Sequence, residues 1–381
     1  MLKKNLMTRP DTQFLIDLWW TGVNAVRGFT AVQNELVQNS GPTPDLIIAV
    51  GKAAGDMALG ARAHYQVSIP TIVATKYDHV SDELAALSDC RIFESAHPIP
   101  DQNSLASGEA LLQAVSNQGP DDKLLLLVSG GASSLVEVLQ PGTELADLAA
   151  LNQGFMAQGL DIHEINAERK KISLVKAGQL LEAFTGKSAR VIAISDVEGD
   201  SIDVIGSGIG AYHGDDSDVS ITVSGSNEVG RKAIADAAAS KNVTLNANQE
   251  NLYGDAEKVA NDVFRIIDDG PAGLYIFGGE PTCLLPDNPG RGGRNQHLGL
   301  LLAEKIRMRN DLCILVAGTD GSDGPTQDAG ALVDGQTVTD NITDYLAGAD
   351  AGSYLAERDA LFTTGPTGTN VMDIMLVWKT A

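Results

Sequence analysis

Three glycine-rich runs in the last third of the sequence contain residue types that could handle a small anionic substrate. They are residues 292–296 (Gly-Gly-Arg-Asn-Gln), 319–325 (Thr-Asp-Gly-Ser-Asp-Gly-Pro) and 364–370 (Thr-Gly-Pro-Thr-Gly-Thr-Asn). Glycine lets the backbone approach a ligand closely, a carboxylate can hold a divalent cation, and a guanidinium can grip a carboxylate or phosphate through two hydrogen bonds. This collection suits a site that places such a substrate beside a nucleotide and a metal ion.

Arg294 and Asp320 are the most informative members of these runs. Arg294 stands at the start of a predicted helix, where the helix dipole disfavours a cation, so a nearby anion would explain it. Asp320 and Asp323 share one glycine-bearing loop, and Asp196 and Asp200 share another. Such carboxylates can hold Mg²⁺ beside a phosphate, although aspartate in a turn often caps the backbone instead. We interpret Asp196 and Asp320 as functional, and Asp200 and Asp323 as capping residues.

Residues 129–134, Ser-Gly-Gly-Ala-Ser-Ser, follow a predicted strand and open a predicted helix. The free N–H groups of such a turn can form a seat for phosphate; the alternative is an ordinary tight turn with a serine cap. We favour the phosphate seat. The phosphate-binding residues predicted in this turn are Ser129, Gly130, Gly131, Ser133 and Ser134.

Gly51 and Lys52 follow another predicted strand in the same way. A lysine at a strand end supplies a compact positive charge for phosphate oxygens, although a solvated surface lysine would have the same sequence context. Gly318 and Thr319 follow a later predicted strand and are further candidates for contact with a nucleotide. Because ligands of open parallel sheets bind at the carboxyl ends of the strands, these loops are expected to face a cleft.

The order of predicted elements indicates an α/β protein with two domains. Solid apolar runs alternate with helical segments over residues 41–225, which predicts a Rossmann-like parallel sheet with helices on both faces. Over residues 226–381 the pattern predicts a mixed-sheet α/β domain. A long amphipathic helix at 11–38 could pack on either domain. The predicted strands of the first domain are 45–50, 70–75, 124–128 and 190–195.

Charge and cysteine content exclude several classes of protein. Fifty acidic residues against 27 basic ones give a net charge of -23, which disfavours nucleic acid and anionic membranes as partners. Three cysteines without a C-x-x-C pair fit a reducing compartment. No apolar run is long enough to span a membrane or to serve as a standard signal peptide, so a cytoplasmic location is expected. The oligomeric state stays open, a homodimer included.

The usual nucleotide-binding motifs are missing from the sequence. Residues 186–188, Gly-Lys-Ser, lack the upstream glycine of a P-loop and lead into a strand instead of following one. Residues 206–210, Gly-Ser-Gly-Ile-Gly, have the wrong spacing for the G-x-G-x-x-G dinucleotide fingerprint. The six histidines form no H-x-x-x-H pair, and we interpret His97, before Pro98, as a structural turn residue.

Taken in order, these runs resemble the type II glycerate kinases, whose C-terminal part is called the MOFRL domain. The resemblance covers nearly the whole chain from about residue 45. The matching runs are 50–55, 97–101, 129–133, 169–170 with 173 and 175–176, 195–200, 278–282, 292–296, 318–321 and 365–370.

This resemblance implies ATP- and Mg²⁺-dependent phosphorylation of the 2-hydroxyl of D-glycerate, in a two-domain protein with its site in the interdomain cleft. Lys52 and Arg294 match the family's cleft lysine and arginine. With Asp196 and Asp320 they are the predicted catalytic residues, and the two aspartates are the predicted metal ligands. The predicted substrate-binding residues are Glu280, Arg294 and Asn295.

Two departures from the family pattern and three alternatives accompany this reading. Residues 207–210, Ser-Gly-Ile-Gly, stand where the family usually has Ser-Gly-Pro-Thr, which we expect to change one wall of the cleft. Ala177 replaces the first glycine of a usual pair, a change expected to be harmless.

The alternatives are an NAD(P)H-dependent hydroxypyruvate reductase, a kinase of a related small hydroxy acid, and a sugar-acid sensor without activity.

Overall fold

The computed structural model describes residues 10–148, 162–214 and 218–381. The described chain divides into two compact units. The first, here called the parallel unit, contains residues 26–226 and 368–370. The second, here called the mixed unit, contains residues 10–25, 227–367 and 371–381. No helix in the described ranges is long and apolar enough to cross a membrane.

The parallel unit is built on a six-stranded sheet in which every pair of neighbours is parallel. Its spatial order is β3-β2-β1-β4-β5-β6. Strands β1 to β3 extend toward one edge of the sheet and β4 to β6 toward the other, so the strand order reverses between β1 and β4. The strands are β1 Leu46–Val50, β2 Thr71–Lys76, β3 Cys90–Ser95, β4 Lys123–Val128, β5 Ser188–Ile194 and β6 Val219–Gly225. The helices of this unit are Gly28–Gln38, Ala54–Tyr65, Asp82–Ala85, Gln102–Ser116, Ala132–Leu135, Ile162–Ile172 and Gln179–Glu182, with 3₁₀ turns at Glu198–Asp200 and Ile205–Gly208.

Strand β1 shows why this sheet is parallel and covered on both faces. All five of its residues are 4% exposed or less. Ile48 and Val50 lie in one core cluster with Leu111 of the helix Gln102–Ser116. The alternate residues of β1 point to the opposite face, against which the helix Ala54–Tyr65 packs. The predicted Rossmann-like architecture is therefore confirmed.

The mixed unit is built on a second six-stranded sheet, of order β11-β10-β9-β12-β8-β7. Only β7 and β8 pair in parallel, and the other neighbours are antiparallel. The strands are β7 Leu245–Asp255, β8 Gly273–Thr282, β9 Leu312–Gly318, β10 Gly330–Asp334, β11 Leu361–Phe362 and β12 Asp373–Lys379. The helices are Pro10–Ala25, Asn227–Ser240, Ala256–Asp269, Arg294–Lys305, Thr343–Ala347 and Ala351–Ala356. A mixed sheet was expected here and is confirmed.

The predicted helix at 11–38 is two helices, Pro10–Ala25 and Gly28–Gln38. Arg27 between them has an extended backbone, with φ -62° and ψ 143°. The first helix packs on Asn227–Ser240 in the mixed unit, and the second packs on Ala54–Tyr65 in the parallel unit. The apolar stripe continues across the break, which is why periodicity alone predicts one helix.

Candidate active site

The turns that follow β1 and β4 are bonded to each other. Lys52 N donates to Gly130 O at 2.9 Å, and Ser129 N donates to Val50 O at 2.9 Å. The Ser129 hydroxyl accepts from Ala53 N at 3.1 Å. Gly51 has φ 123°, and a Cβ there would overlap Ser129, so only glycine allows the two turns to approach so closely. The predicted loops 51–52 and 129–131 therefore form one structure, at the point where the strand order reverses.

Lys52, His97 and Asp196 surround the double glycine of this structure. A Cβ on Gly131 would lie 3.1 Å from Lys52 Cγ and 3.2 Å from His97 Cδ2. A Cβ on Gly130 would overlap the Asp196 carboxylate. The structure thus brings together Lys52, the turn and Asp196, as the sequence predicts. The structure also places the His97 ring against Gly131, so His97 contacts this site as well as lying in a turn.

The charged groups here, called the lysine cluster, are Lys52, Lys76 at the end of β2, and Asp196. Burial raises the pKa of Asp196 above its ordinary value, although the charge of Lys52 opposes the shift. Burial, with Lys52, Lys76 and His79, lowers the pKa of His97 to about 4, so its imidazole is neutral at pH 7. Lys52 acts on both His97 and Asp196, and Lys76 acts on His97, so the cluster contains two ammonium groups and one carboxylate. The excess of positive charge suits a polyphosphate.

Two serines farther along the same turn hold it to neighbouring segments. Ser134 Oγ donates to Pro98 O at 2.8 Å, and Ser133 O accepts a hydrogen bond from Lys176 Nζ. The helix that starts here is short and ends at Leu135. Ser134 therefore anchors the turn to the chain after His97.

Arg294 lies at the start of the helix Arg294–Lys305 and is held by two carboxylates. Its Nε and Nη2 donate to Asp373 Oδ2 and Oδ1 at 2.7 and 3.1 Å, and its Nη1 lies 2.7 Å from Glu280 Oε1. Asp373 is fully buried, whereas the Arg294 side chain is 36% exposed. Burial acts to lower the pKa of Arg294, but Asp373 and Glu280 outweigh it and raise that pKa above its ordinary value. The anion that the helix start requires is therefore supplied by the protein itself.

Asp323 caps the same helix, as predicted. Its Oδ1 accepts from Asn295 N at 3.0 Å and its Oδ2 accepts from Gln296 N at 2.8 Å. Asn295 also donates through Nδ2 to Asp373 Oδ1 at 2.9 Å. Burial raises the pKa of Asp323 to about 6, against the effect of these backbone donors. Asn295 thus ties the capping carboxylate to the one that orients Arg294.

Asp320 and Thr319 follow β9 at the end of the sheet where Asp373 begins β12. A Cβ on Gly318 would lie 3.3 Å from both Asp320 Oδ1 and Asp373 Oδ1, so the two carboxylates are neighbours. Asp320 Oδ1 also accepts from Ser322 N at 2.9 Å. The Thr319 hydroxyl donates to Met372 O at 2.6 Å and accepts from Val371 N. These bonds tie Thr319 to the backbone that leads into β12.

The charges around Arg294, here called the arginine cluster, are net negative. One guanidinium is accompanied by four carboxylates, those of Glu280, Asp320, Asp323 and Asp373. An anionic ligand would be repelled here unless a cation came with it. Across the described ranges, no three acidic, histidine or cysteine side chains form a ready-made metal site. One or two carboxylates completed by phosphate oxygens and water are the usual protein donors to Mg²⁺, and Asp320 fits that pattern.

Comparison with known proteins places the chain in a family. Residues 14–235 match the domain of unknown function DUF4147, and residues 273–373 match the MOFRL family. A D-glycerate 2-kinase from Thermotoga maritima is 32% identical, and the match covers 87% of this chain and 89% of that protein. The chain belongs to the type II glycerate kinase family.

The fold agrees with that family. A crystal structure of a glycerate kinase from Thermotoga maritima superimposes with a TM-score of 0.89 at 29% sequence identity, covering 97% of this chain and 99% of that one. A relative from Agrobacterium vitis carries the provisional name hydroxypyruvate reductase; it is 31% identical, over 87% of this chain and 98% of its own length. Names within the family therefore point to two chemistries.

One of the two departures from the family pattern lies in the hydrophobic core, and the other has an unfavourable backbone conformation. Ile209 is fully buried in the hydrophobic core, and a Cβ on Gly210 would contact Val191 and Val128 in that core. The expected change in a cleft wall at 207–210 is therefore wrong for these two residues. Ala177 has φ 51°, a left-handed conformation that an L side chain disfavours.

Replacing Ala177 by glycine is expected to stabilise the protein by about 1 kcal/mol, because glycine adopts this φ without steric conflict. The gain is limited because glycine also makes the unfolded chain more flexible. Urea unfolding of wild type and Ala177→Gly measures the difference. A lower midpoint for the glycine variant would show that the alanine is not strained.

The Asp323 carboxyl is expected to make stability fall as pH rises. Its pKa is about 6 in the folded protein against an ordinary 3.8, so the folded state binds this proton more tightly than the unfolded chain. Its contribution is complete below about pH 4 and is lost as pH rises through about 6, by up to about 3 kcal/mol. The unfolding free energy of wild type minus that of Asp323→Asn should follow this curve. A flat difference across that range would contradict it.

Sequence reasoning missed Asp373, His97 and Lys76 as members of these clusters. Asp373 carries one visible signal, an acidic residue at the head of an apolar strand, but its partner Arg294 is far away in sequence. Lys76 is the last residue of β2, much as Lys52 closely follows β1, and this similar position could have identified Lys76 from the sequence. His97 lies in a turn, as the sequence predicts, but the sequence does not show what that turn contacts.

Proposed function

We propose that the chain is a glycerate 2-kinase, which transfers the γ-phosphoryl group of ATP to the 2-hydroxyl of D-glycerate and releases ADP. The observation that carries the proposal is the convergence of Lys52, the double glycine and Asp196 where the strand order reverses in a parallel sheet. Such reversal points are where open α/β sheets bind ligands. Membership of the glycerate kinase family supplies the substrate.

The lysine cluster is proposed to hold the triphosphate. The ammonium groups of Lys52 and Lys76 offset phosphate charge, and the glycines at 130 and 131 let phosphate oxygens approach the backbone. Neutral His97 adds no repulsion and no attraction at pH 7. This arrangement supplies local positive charge in a chain whose net charge is -23.

The arginine cluster is proposed to bind D-glycerate. Arg294 is oriented by buried Asp373, and its more exposed partner Glu280 can exchange with a substrate carboxylate. Asp320 is the proposed ligand of Mg²⁺, with Gly318 and Thr319 shaping the loop that carries it. When bound, Mg²⁺ would offset the negative charge of the transferred phosphoryl group. Asn295 links Asp373 to the start of the helix Arg294–Lys305 by a side-chain hydrogen bond.

Asp196 is the proposed acceptor of the hydroxyl proton. Burial raises its pKa, which makes it a better base than an exposed aspartate, while the charge of Lys52 favours its ionised form. The 2-hydroxyl oxygen forms a bond to the γ-phosphorus while the bond to the β–γ bridging oxygen breaks. The proton passes to Asp196, and the bridging oxygen leaves on ADP. Positioning and charge stabilisation by the two clusters supply the catalysis.

Hydride transfer to hydroxypyruvate is the competing function. The turn after β1 carries Lys52 where dinucleotide-binding folds use a glycine fingerprint, and no G-x-G-x-x-G occurs in the sequence. Two assays on one preparation separate the functions. We expect ADP release that depends on both D-glycerate and ATP, and no loss of NADH or NADPH with hydroxypyruvate. The opposite pair of results would replace the kinase by a reductase.

A further inference from the structure

Lys176 is a lysine with almost no access to solvent. Its side chain is 1% exposed, and that of its partner Glu137, 3.3 Å away, is 2% exposed. Burial lowers the pKa of Lys176, and the charge of Glu137 opposes that shift. Burying an ion pair is unfavourable compared with packing apolar side chains of the same size. A purely packing role would therefore be met better by apolar residues.

The bonds of Lys176 lead to the backbone of one segment. Its Nζ donates to Ser133 O and, at 3.0 Å, to Val136 O. Glu137 completes the network, because its Oε1 accepts from Ser173 Oγ at 2.6 Å and from Val138 N at 3.0 Å. The ammonium thus fixes two carbonyls of the segment that directly follows the double glycine.

That segment in turn positions the lysine cluster. Gly130 O accepts from Lys52 N at 2.9 Å, and Gly131 lies against the Lys52 side chain. Gly130 also lies against the Asp196 carboxylate. A shift of the segment at Ser133 would therefore move the groups on either side of the glycines. Misplacement of reacting groups by about 1 Å can cost on the order of 100-fold in rate.

We propose that Lys176 is a positioning residue, which holds the turn at 129–136 so that Lys52 and Asp196 face the phosphates of ATP. The inference rests on the proposed kinase function. Glu137 neutralises the buried ammonium, and Ser173 orients Glu137. None of the three needs to touch a substrate.

Three variants test this role. Lys176→Met removes both the charge and the two hydrogen bonds, and Lys176→Met/Glu137→Gln also removes the unpaired carboxylate that the single change leaves. Lys171→Met is the matched control, because Lys171 lies in the same part of the chain but is 66% exposed and pairs with Glu168 at the surface. Each variant is measured for thermal midpoint, kcat and KM for ATP.

We expect the single variant to lose thermal stability and the double variant to regain most of it. The double variant should still show kcat/KM for ATP lowered on the order of 10- to 100-fold, with a raised KM, because the carbonyls of Ser133 and Val136 remain unpaired. Recovery of kcat/KM together with stability would overturn the proposal. A fall in kcat at unchanged KM would do the same, because it reports only a smaller folded fraction.

A milder variant keeps the test decisive if neither lysine variant folds. Ser173→Ala removes the hydrogen bond to Glu137 and the hydroxyl that accepts from Val175 N and Lys176 N, but it leaves the buried ion pair in place. A KM for ATP raised several-fold supports the role, whereas an unchanged KM overturns it. Wild type and the Lys171→Met control report on the proposed function separately. If they fail to phosphorylate D-glycerate, the kinase assignment has failed, whatever Lys176 does.

Discussion

Replacing Lys52 by alanine is expected to lower kcat for ADP formation by about 10²- to 10³-fold. The Lys52 side chain packs against Gly131 and its charge acts on the Asp196 carboxyl, and the ammonium is proposed to stabilise the negative charge that develops during transfer. Its own side chain is partly exposed, so the thermal midpoint should change little. Steady-state kinetics with ATP and D-glycerate measures the effect.

Two further variants sharpen the Lys52 experiment. Lys52→Arg keeps the charge, but Gly131 already lies in close contact with the existing side chain, so the larger group must be displaced and activity should stay low. Lys232→Ala is the control, since Lys232 is 71% exposed in a pair with Asp236. Activity of Lys52→Ala within a few-fold of this control would remove Lys52 from the mechanism.

Replacing Arg294 by alanine is expected to affect both activity and stability. The change leaves Asp373 fully buried and without its cation, and breaking a buried ion pair in this way costs about 3–5 kcal/mol. Turnover of D-glycerate should fall at least about 100-fold, because the proposed contact to the substrate carboxylate is lost. Denaturant unfolding and kinetics on the same preparation measure the two losses.

The double variant Arg294→Ala/Asp373→Asn separates these losses. An asparagine carbonyl can still accept from Asn295 Nδ2, and no unpaired charge remains, so most of the stability should return while activity does not. Arg291→Ala is the control, because Arg291 pairs with Asp328 at 2.7 Å but is 49% exposed. If activity returned together with stability, Arg294 would be only a structural partner of Asp373.

The parts of the fold that sequence predicts well are those in which burial leaves a simple pattern. Strand β1 is apolar at every position because both of its faces are covered, and the predicted boundary differs by one residue. Strands β3 and β6 were missed. They lie at the two edges of the sheet and are only partly buried, so polar residues interrupt their apolar runs.

The candidate site was predictable where its residues are neighbours along short loops. Glycines at 51, 130 and 131 with Lys52 and Asp196 could be found because each follows a recognisable strand. The partners of Arg294 could not, because pairing with Asp373 depends on β8, β9 and β12 being adjacent in the mixed sheet. Positive charge is in excess in the lysine cluster, but the carboxylates around Arg294 make the arginine cluster dependent on an added cation.

Phosphorus NMR of the reaction mixture tests the central claim most directly. Wild-type protein with ATP, Mg²⁺ and D-glycerate should give ADP and one new phosphomonoester resonance, coupled to the single proton on carbon 2 of glycerate. The Lys52→Ala and Arg294→Ala variants should produce it far more slowly. A resonance coupled to the two protons of carbon 3, or inorganic phosphate alone, would contradict the account.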